Sequence, residues 1–419
     1  MSKPRLVSLF SGAGGLDYGF EAAGFATGAC VEMDSDSCQT LRVSRPKWQV
    51  IERSIFDVPT AEMLERAGAR AGELDLVIGG PPCQPFSKSG YWARGDSARL
   101  DDPRASTLDA FLRVIGEARP RAFLLENVQG LAFKNKDEGL EHLRRGVMEI
   151  NARTKSNYQL HYRVLDAAAY GVPQHRERLF VIAQRDGAEF TFPRPTHGDQ
   201  GSLFDDLVPY HNAWDALHDA PTEDDFDLGM RGRFRDLLPS IPEGHNYLWH
   251  TDRGIERALA AKMTPGKALF GWRRHYWTFL LKLAKSRPSW TVQAQPGPAA
   301  GPFHWENRRL SPRELCRIQT IPDDVTVQGG LAAAQRQIGN AVPSLLGEVL
   351  GREIRGQLLG SRTRMPLKCM PSRSSSTPAA EPYEKVPRAF LGQEGIHAAH
   401  PGTGLGRGAV AREVAHSLG

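Results

Sequence analysis

The strongest constraint on this chain is a set of short apolar runs that each break off at residues no helix would continue. RLVSLF (5–10) gives way to SGAGG, LDLVI (74–78) to GGPP, and RAFLLENV (121–128) ends in polar residues. Proline removes a backbone donor and clashes with the preceding helical turn, so GGPP closes a strand rather than a helix; the Gly-rich turn and the polar end let the other two runs be read as short buried strands as well. Helix-like segments lie between them. LDYGFEAAGF follows the first strand, and TLDAFLRVIGEA (107–118) places Leu108, Phe111, Leu112 and Ile115 on one face. A second strand, ATGACVEMD, ends in Glu32 and Asp34. YRVLDAAAYGVPQHRERLFVIAQR holds two more strands, near 162–165 and 179–183, around a polar turn. Strands alternating with helices predict an α/β fold, a largely parallel, doubly wound sheet with its site at the strands' carboxyl ends.

The rhythm stops near Pro193. Residues 194–305 are rich in Pro, Gly, aromatics and Arg, with weak periodicity, and read as a separate small domain. The α/β pattern resumes at RLSPRELCRIQTIP (309–322) and in residues 333–356, which makes the middle region an insertion. The expected boundaries are 1–193 and 306–358 for the two parts of the large domain, 194–305 for the inserted one, and 359–419 for a tail. The tail has few large apolar residues and is expected to be disordered, with no stable fold of its own. No internal repeat is present. A chain of 419 residues, 40% hydrophobic, suits one large domain plus a smaller one and excludes collagen, coiled coil or wholesale disorder.

No run of about 18 apolar residues exists to span a membrane. MSKPRLVSLFSGAGG has no apolar export region, so a cytoplasmic protein is expected. Five cysteines, an odd number without CxxC spacing, argue against a disulfide framework or a zinc site. Charge is unevenly placed. Residues 199–227 carry nine acids and no Lys or Arg, whereas residues 231–309 carry 14 basic and 5 acidic side chains, a local +9. Such a segment is either a solvated surface or a face that meets a polyanion.

Several features carry chemistry. SGAGG supplies the small residues with which a backbone approaches a ligand at a helix N-terminus. Glu32 ends the second strand, where nucleotide-binding sheets place an acid for ribose hydroxyls, and together they point to an adenosine-containing cofactor. GGPPCQPFS (79–87) sets the Cys83 thiol between prolines directly after a buried strand, a position for a thiolate nucleophile. Glu126 of ENV ends another strand in the same rim. QHRER spaces Gln174, Arg176 and Arg178 at alternate positions, either as a solvated salt-bridge face or as part of the site.

The ordered set FSGAGG, GGPPCQPFS, ENV, QHRER, RLSPRELCRIQ and GNAV resembles the DNA (cytosine-5)-methyltransferases of bacterial modification systems, over residues 5–355. The resemblance implies a Rossmann-like S-adenosylmethionine-dependent methyltransferase domain with an inserted small target-recognition domain across a DNA cleft. It implies that Cys83 attacks carbon 6 of a flipped cytosine and that Glu126 holds a proton at ring nitrogen 3. Arg178 would bind the base carbonyl and orient Glu126, and Arg176 beside it would favour the thiolate. For S-adenosylmethionine it implies Phe10, Gly12, Gly14, Glu32, Pro82 and Asn340, with no metal. The family often contacts adenine through Asp-Ile. The matching pair here is Ser54-Ile55, with Asp57 close behind, which leaves Ser54 or Asp57 for that contact.

Residues 88–104, with Tyr91 and Trp92, correspond to the loop that closes over DNA. FGWRRHYWTF (270–279) interleaves Arg273, Arg274 and His275 with aromatics, as a base-reading segment or as a buried strand with exposed arginines. The implied partner is double-stranded DNA, met by a monomer. A companion restriction endonuclease would share the target without forming a stable complex. The tail is read as a basic extension adding non-specific DNA affinity. A tRNA cytosine methyltransferase shares the catalytic domain but has a shorter recognition region. A DNA-binding protein without turnover would lack Cys83, Glu126 or Arg178, and a nicotinamide oxidoreductase would carry GxGxxG.

Overall fold

The computed structural model describes residues 3–82, 106–128, 138–199, 206–221, 223, 225–272, 276–363, 365–392 and 394. A seven-stranded sheet organises the large domain. Its strands are β1 (Arg5–Leu9), β2 (Ala26–Glu32), β3 (Gln49–Glu52), β4 (Leu76–Gly79), β5 (Ala122–Val128), β6 (His161–Asp166) and β7 (Glu177–Gln184). They lie in the order β3-β2-β1-β4-β5-β7-β6. The first five run parallel, and β7 runs antiparallel to both β5 and β6. The start of β7 therefore lies at the rim where the parallel strands end.

Both faces are covered, as a parallel sheet requires. Val7, Leu9, Val31, Val77, Phe123 and Leu125 turn to one side. They pack with Phe111 and Ile115 of α4 (Ser106–Ala118) and Leu143 and Val147 of α5 (Glu138–Thr154). Earlier in the chain come α1 (Gly15–Ala22), α2 (Ser35–Ser44) and α3 (Thr60–Arg66). Leu6, Leu76, Ile78 and Leu124, one residue out of phase, turn to the other side and meet Leu16 and Phe20 of α1. Each such side chain contributes roughly 1.5–3 kcal/mol on leaving water. The sequence reading found every strand of this sheet except β3, whose four residues are too few to show a period, and did not identify α2, α3 or α5.

From residue 194 regular structure is sparse: β8 (His197–Gly198), β9 (Val208–Pro209), α6 (Ala213–Leu217), α7 (Asp252–Ala260) and short 3₁₀ turns. Phe234, Tyr247, Trp249, Phe270, Phe279 and Phe303 nevertheless close a core of their own. Leu283, Val292 and Trp305 pack instead with Tyr18, Trp48 and Leu315, so the edges of the middle region belong to the body of the sheet domain. The returning chain forms α8 (Pro312–Ile318), α9 (Leu331–Asn340) and α10 (Ser344–Gln357). SPRE starts α8 as a capping box: the Ser311 hydroxyl accepts from the Glu314 N–H while Glu314 accepts from the Ser311 N–H. Ser344 Oγ donates to Gly15 O at 2.8 Å, and Leu346, Leu350 and Ile354 of α10 complete the α1 side of the core.

One expectation is corrected. Residues 365–392 are not a disordered tail but an extended segment packed along the body, with Met370 against the sheet core and Phe390 inside the aromatic core. Its anchors are largely main-chain groups, which composition does not reveal. Residues 395–419 lie outside the described set. Among the described residues no helix is long and apolar enough to cross a membrane.

Asp17 in the first turn of α1 is fully buried, with no hydrogen-bond partner for Oδ2 among the described residues and Oδ1 3.9 Å from Cys30 Sγ. Burial pushes its pKa up to about 7 from 3.8. The folded chain thus favours the protonated acid, and its contribution to stability is complete below pH 4 and lost as pH rises through 7. Asp17→Asn has no such ionisation. Its melting temperature should gain on the parent between pH 5 and pH 8, by the equivalent of about 1–3 kcal/mol; a pH-independent difference would refute this.

Candidate active site

The carboxyl rim begins with the turn between β1 and α1. Phe10, Gly12 and Gly14 all have positive φ, at 55°, 54° and 85°. A side chain on Gly12 would meet nothing within 4 Å, so this backbone faces open space. Glu32, at the end of β2, fastens two loops at once: Oε2 accepts from Gly12 N–H, and Oε1 from Met33 and Asp34 N–H, each at 2.8 Å. At the end of neighbouring β3 the Ser54 hydroxyl accepts from Phe56 N–H at 3.4 Å and caps a 3₁₀ turn. Ile55 points into the core and Asp57 is exposed.

Two residues absent from the sequence reading belong to this rim. Met33 and Phe56 stand exposed just past the ends of adjacent strands. Their signal was available, because an apolar residue directly after a strand-closing polar one has no core to enter. Asn340 ends α9 exposed, and its side chain forms no hydrogen bond among the described residues. Open backbone, a carboxylate, exposed apolar side chains and a free amide fit a nucleoside linked to an amino acid.

Further along, antiparallel register does what sequence spacing could not show. Val128 lies opposite Arg178 and Glu126 opposite Phe180, so Glu126 and Arg178 are diagonal neighbours on one face. Arg178 Nε sits 3.0 Å from Glu126 Oε1, and both side chains are largely sheltered. Burial raises the Glu126 pKa, opposed by the positive charges of Arg178 and Arg176, and burial lowers that of Arg178. Asn127 Nδ2 donates to Pro81 O at 3.2 Å, tying the PPC turn to β5. The chain then passes exposed Pro82 to Cys83; Cys83, the 88–104 loop and Arg273–His275 lie outside the described residues.

Arg176 also has a structural part in the rim. It is wholly buried, and it donates to Val292 O at 3.2 Å and Gly339 O at 2.8 Å rather than to Glu126. Its charge still bears on Glu126, but its bonds lock the middle and returning segments to the rim. Gln174 does the same, donating to Gln319 Oε1 at 3.0 Å and accepting from Val292 N–H at 2.8 Å. The alternate residues of QHRER therefore form an internal seam rather than a solvated face.

A doubly wound sheet with a nucleotide-type turn, a Gly-Pro-Pro strand end and a sheltered Glu–Arg pair defines a Rossmann-like methyltransferase. Residues 4–356 match the C-5 cytosine-specific DNA methylase family, and the chain belongs to it. It is a DNA (cytosine-5)-methyltransferase. It is similar to the Type II methyltransferase M.SacI of Streptomyces achromogenes, with 40% identity over 84% of this chain and 93% of that protein. M.AquIA of Picosynechococcus is 44% identical over 52% of this chain and 89% of its own length. A DNA modification methyltransferase encoded within an Escherichia coli prophage shares the fold at a TM-score of 0.58 and 23% identity. The match covers 86% of this chain and all of that one.

Gly80 is the close point of the site: a Cβ there would stand 2.8 Å from Glu126 Oε2. Gly80→Ala should displace the Glu126 carboxylate and lower kcat about tenfold or more while the melting temperature stays near that of the parent. Unchanged turnover would show that this approach is not needed.

Proposed function

We propose that this enzyme methylates one cytosine of a short double-stranded DNA target through a covalent bond between Cys83 and carbon 6 of a base turned out of the duplex. The observation that carries the reading is the Arg178–Glu126 pair at 3.0 Å, whose acid lies on the strand that also holds the Gly-Pro-Pro turn through Asn127. Unstacking the base costs a few kcal/mol, repaid by contacts in the site. The Cys83 thiolate adds to carbon 6 and leaves electron density at carbon 5. Glu126, whose raised pKa favours its protonated form, shares its proton with ring nitrogen 3 and so disperses the charge of the adduct. Arg178 orients that carboxyl and presents N–H groups to the base carbonyl. Once carbon 5 carries the incoming methyl group, loss of that carbon's proton to a base and expulsion of the Cys83 sulfur restore the ring.

Phe10, Gly12, Gly14, Glu32, Pro82 and Asn340 would hold S-adenosylmethionine, with Ser54 or Asp57 toward its adenine and Met33 and Phe56 as apolar contacts. When bound, the cofactor supplies an electrophilic methyl group. Residues 194–305, which include most of the +9 stretch, act as the target-recognition domain. The relatives are named Type II methyltransferases. In that role this enzyme, working as a monomer, would shield host DNA from an endonuclease of the same specificity.

Incubation with labelled S-adenosylmethionine should put 5-methylcytosine into unmethylated DNA and not into tRNA. Cys83→Ser should abolish the signal, and Glu126→Gln should lower kcat by about 10²–10⁴. Full activity of Cys83→Ser would remove the covalent step, and label in tRNA alone would reassign the substrate.

A further inference from the structure

We propose that residues 365–391 are a strap that holds the recognition lobe in register with the catalytic domain, and that this register sets affinity for the DNA target rather than the rate of methyl transfer. The inference rests on the reading of the middle region as the recognition lobe. The strap lies beyond residue 356, where the family match ends.

Three buried carboxylates of the body, in three places, each accept a main-chain N–H from it. Glu348 of α10 accepts from Lys368 at 2.9 Å and Cys369 at 2.8 Å. Asp215 of α6 accepts from Ser374 at 2.8 Å, and Glu243 of the middle region from Glu381 at 2.8 Å. The three side chains are 0%, 2% and 4% exposed. A carboxylate withdrawn from water to that extent must have its donors supplied, and here part of the supply comes from the strap. Surface charge attraction would leave the partners exposed, so these contacts are built into the fold.

The order of contacts follows the molecule from one domain to the other. At the start, Arg352 of α10 donates to Met365 O and to Pro366 O at 2.5 Å. At the junction, Asn212 Nδ2 donates to Thr377 Oγ1 at 3.0 Å. Where the body meets the recognition lobe, buried Lys285 donates to Glu243 at 3.0 Å, to Ala379 O at 3.3 Å and to Glu381 at 2.7 Å. The end is apolar: Tyr383 stacks edge-on to Trp249, and Phe390 sits beside Phe234 in the aromatic core. Arg373, a cation available in principle to DNA phosphate, donates to Pro209 O at 2.6 Å.

The test compares the full chain, a chain ended at Leu359, a chain ended at Glu394 and the double variant Tyr383→Ala/Phe390→Ala. Methyl transfer to target and non-target DNA is measured over a range of salt, together with S-adenosylmethionine binding. The chain ended at Leu359 and the double variant should raise KM for target DNA at least tenfold. Their kcat and cofactor affinity should stay within about twofold, and the chain ended at Glu394 should match the full chain. Adding a peptide of residues 362–392 should restore KM to the chain ended at Leu359. If that chain does not fold, the double variant decides by the same readouts. Parental KM in the double variant, or a fall in kcat at constant KM, overturns the proposal. So does a KM rise equal for target and non-target DNA with a shallower salt slope, which would make the tail a charge extension. Absence of DNA methylation by the full chain would instead remove the functional reading.

Discussion

The contact between Arg178 and Glu126 exists because β7 enters the sheet against the direction of its neighbours. In a parallel crossover the start of that strand would lie at the opposite edge, far from the end of β5. The β6–β7 hairpin turns it round and delivers the QHRER segment to the rim where β1, β2, β4 and β5 all end. Diagonal pairing then brings an acid and a guanidinium together without either side chain leaving its strand. Groups held on strands are placed more tightly than groups on loops.

Around that pair the protein converges from distant parts of the chain. Arg176 reaches Val292 and Gly339, and Gln174 reaches Val292 and Gln319; Gln319 in turn donates to Ile338 O at 2.7 Å. Residues 174–176 thus meet partners more than a hundred residues further along the chain at one buried polar seam. Because each member is desolvated, loss of one leaves another unsatisfied, and the penalty falls on the geometry of the rim. The same seclusion keeps the Glu126 acid poised against the pull of two arginines.

Much of this was legible in the sequence, for identifiable reasons. Turn residues marked the rim at SGAGG and GGPP, and ENV marked it as an apolar run that ends in polar residues. The family resemblance assigned Arg178 a role that spacing alone left open. Spacing did not distinguish Arg176 from Arg178, since alternate residues share a face whether it meets solvent or a neighbouring segment. β3 was too short to show a period. The segment from 365 was misjudged because main-chain N–H groups held by buried carboxylates leave no mark on composition, and its two aromatic anchors are isolated in a polar stretch.

Glu32 carries a consequence for how the site would sense its contents. A carboxylate offers about four acceptor positions, and three here are taken by the N–H groups of Gly12, Met33 and Asp34. A ligand bringing a pair of adjacent hydroxyls can claim the vacant position for one, but the second must share or displace a main-chain donor. Binding at that acid is therefore an exchange of partners, and its currency is the fit between the β1–α1 turn and the loop after β2. Occupancy of one small spot would thus be communicated to two stretches of backbone at once.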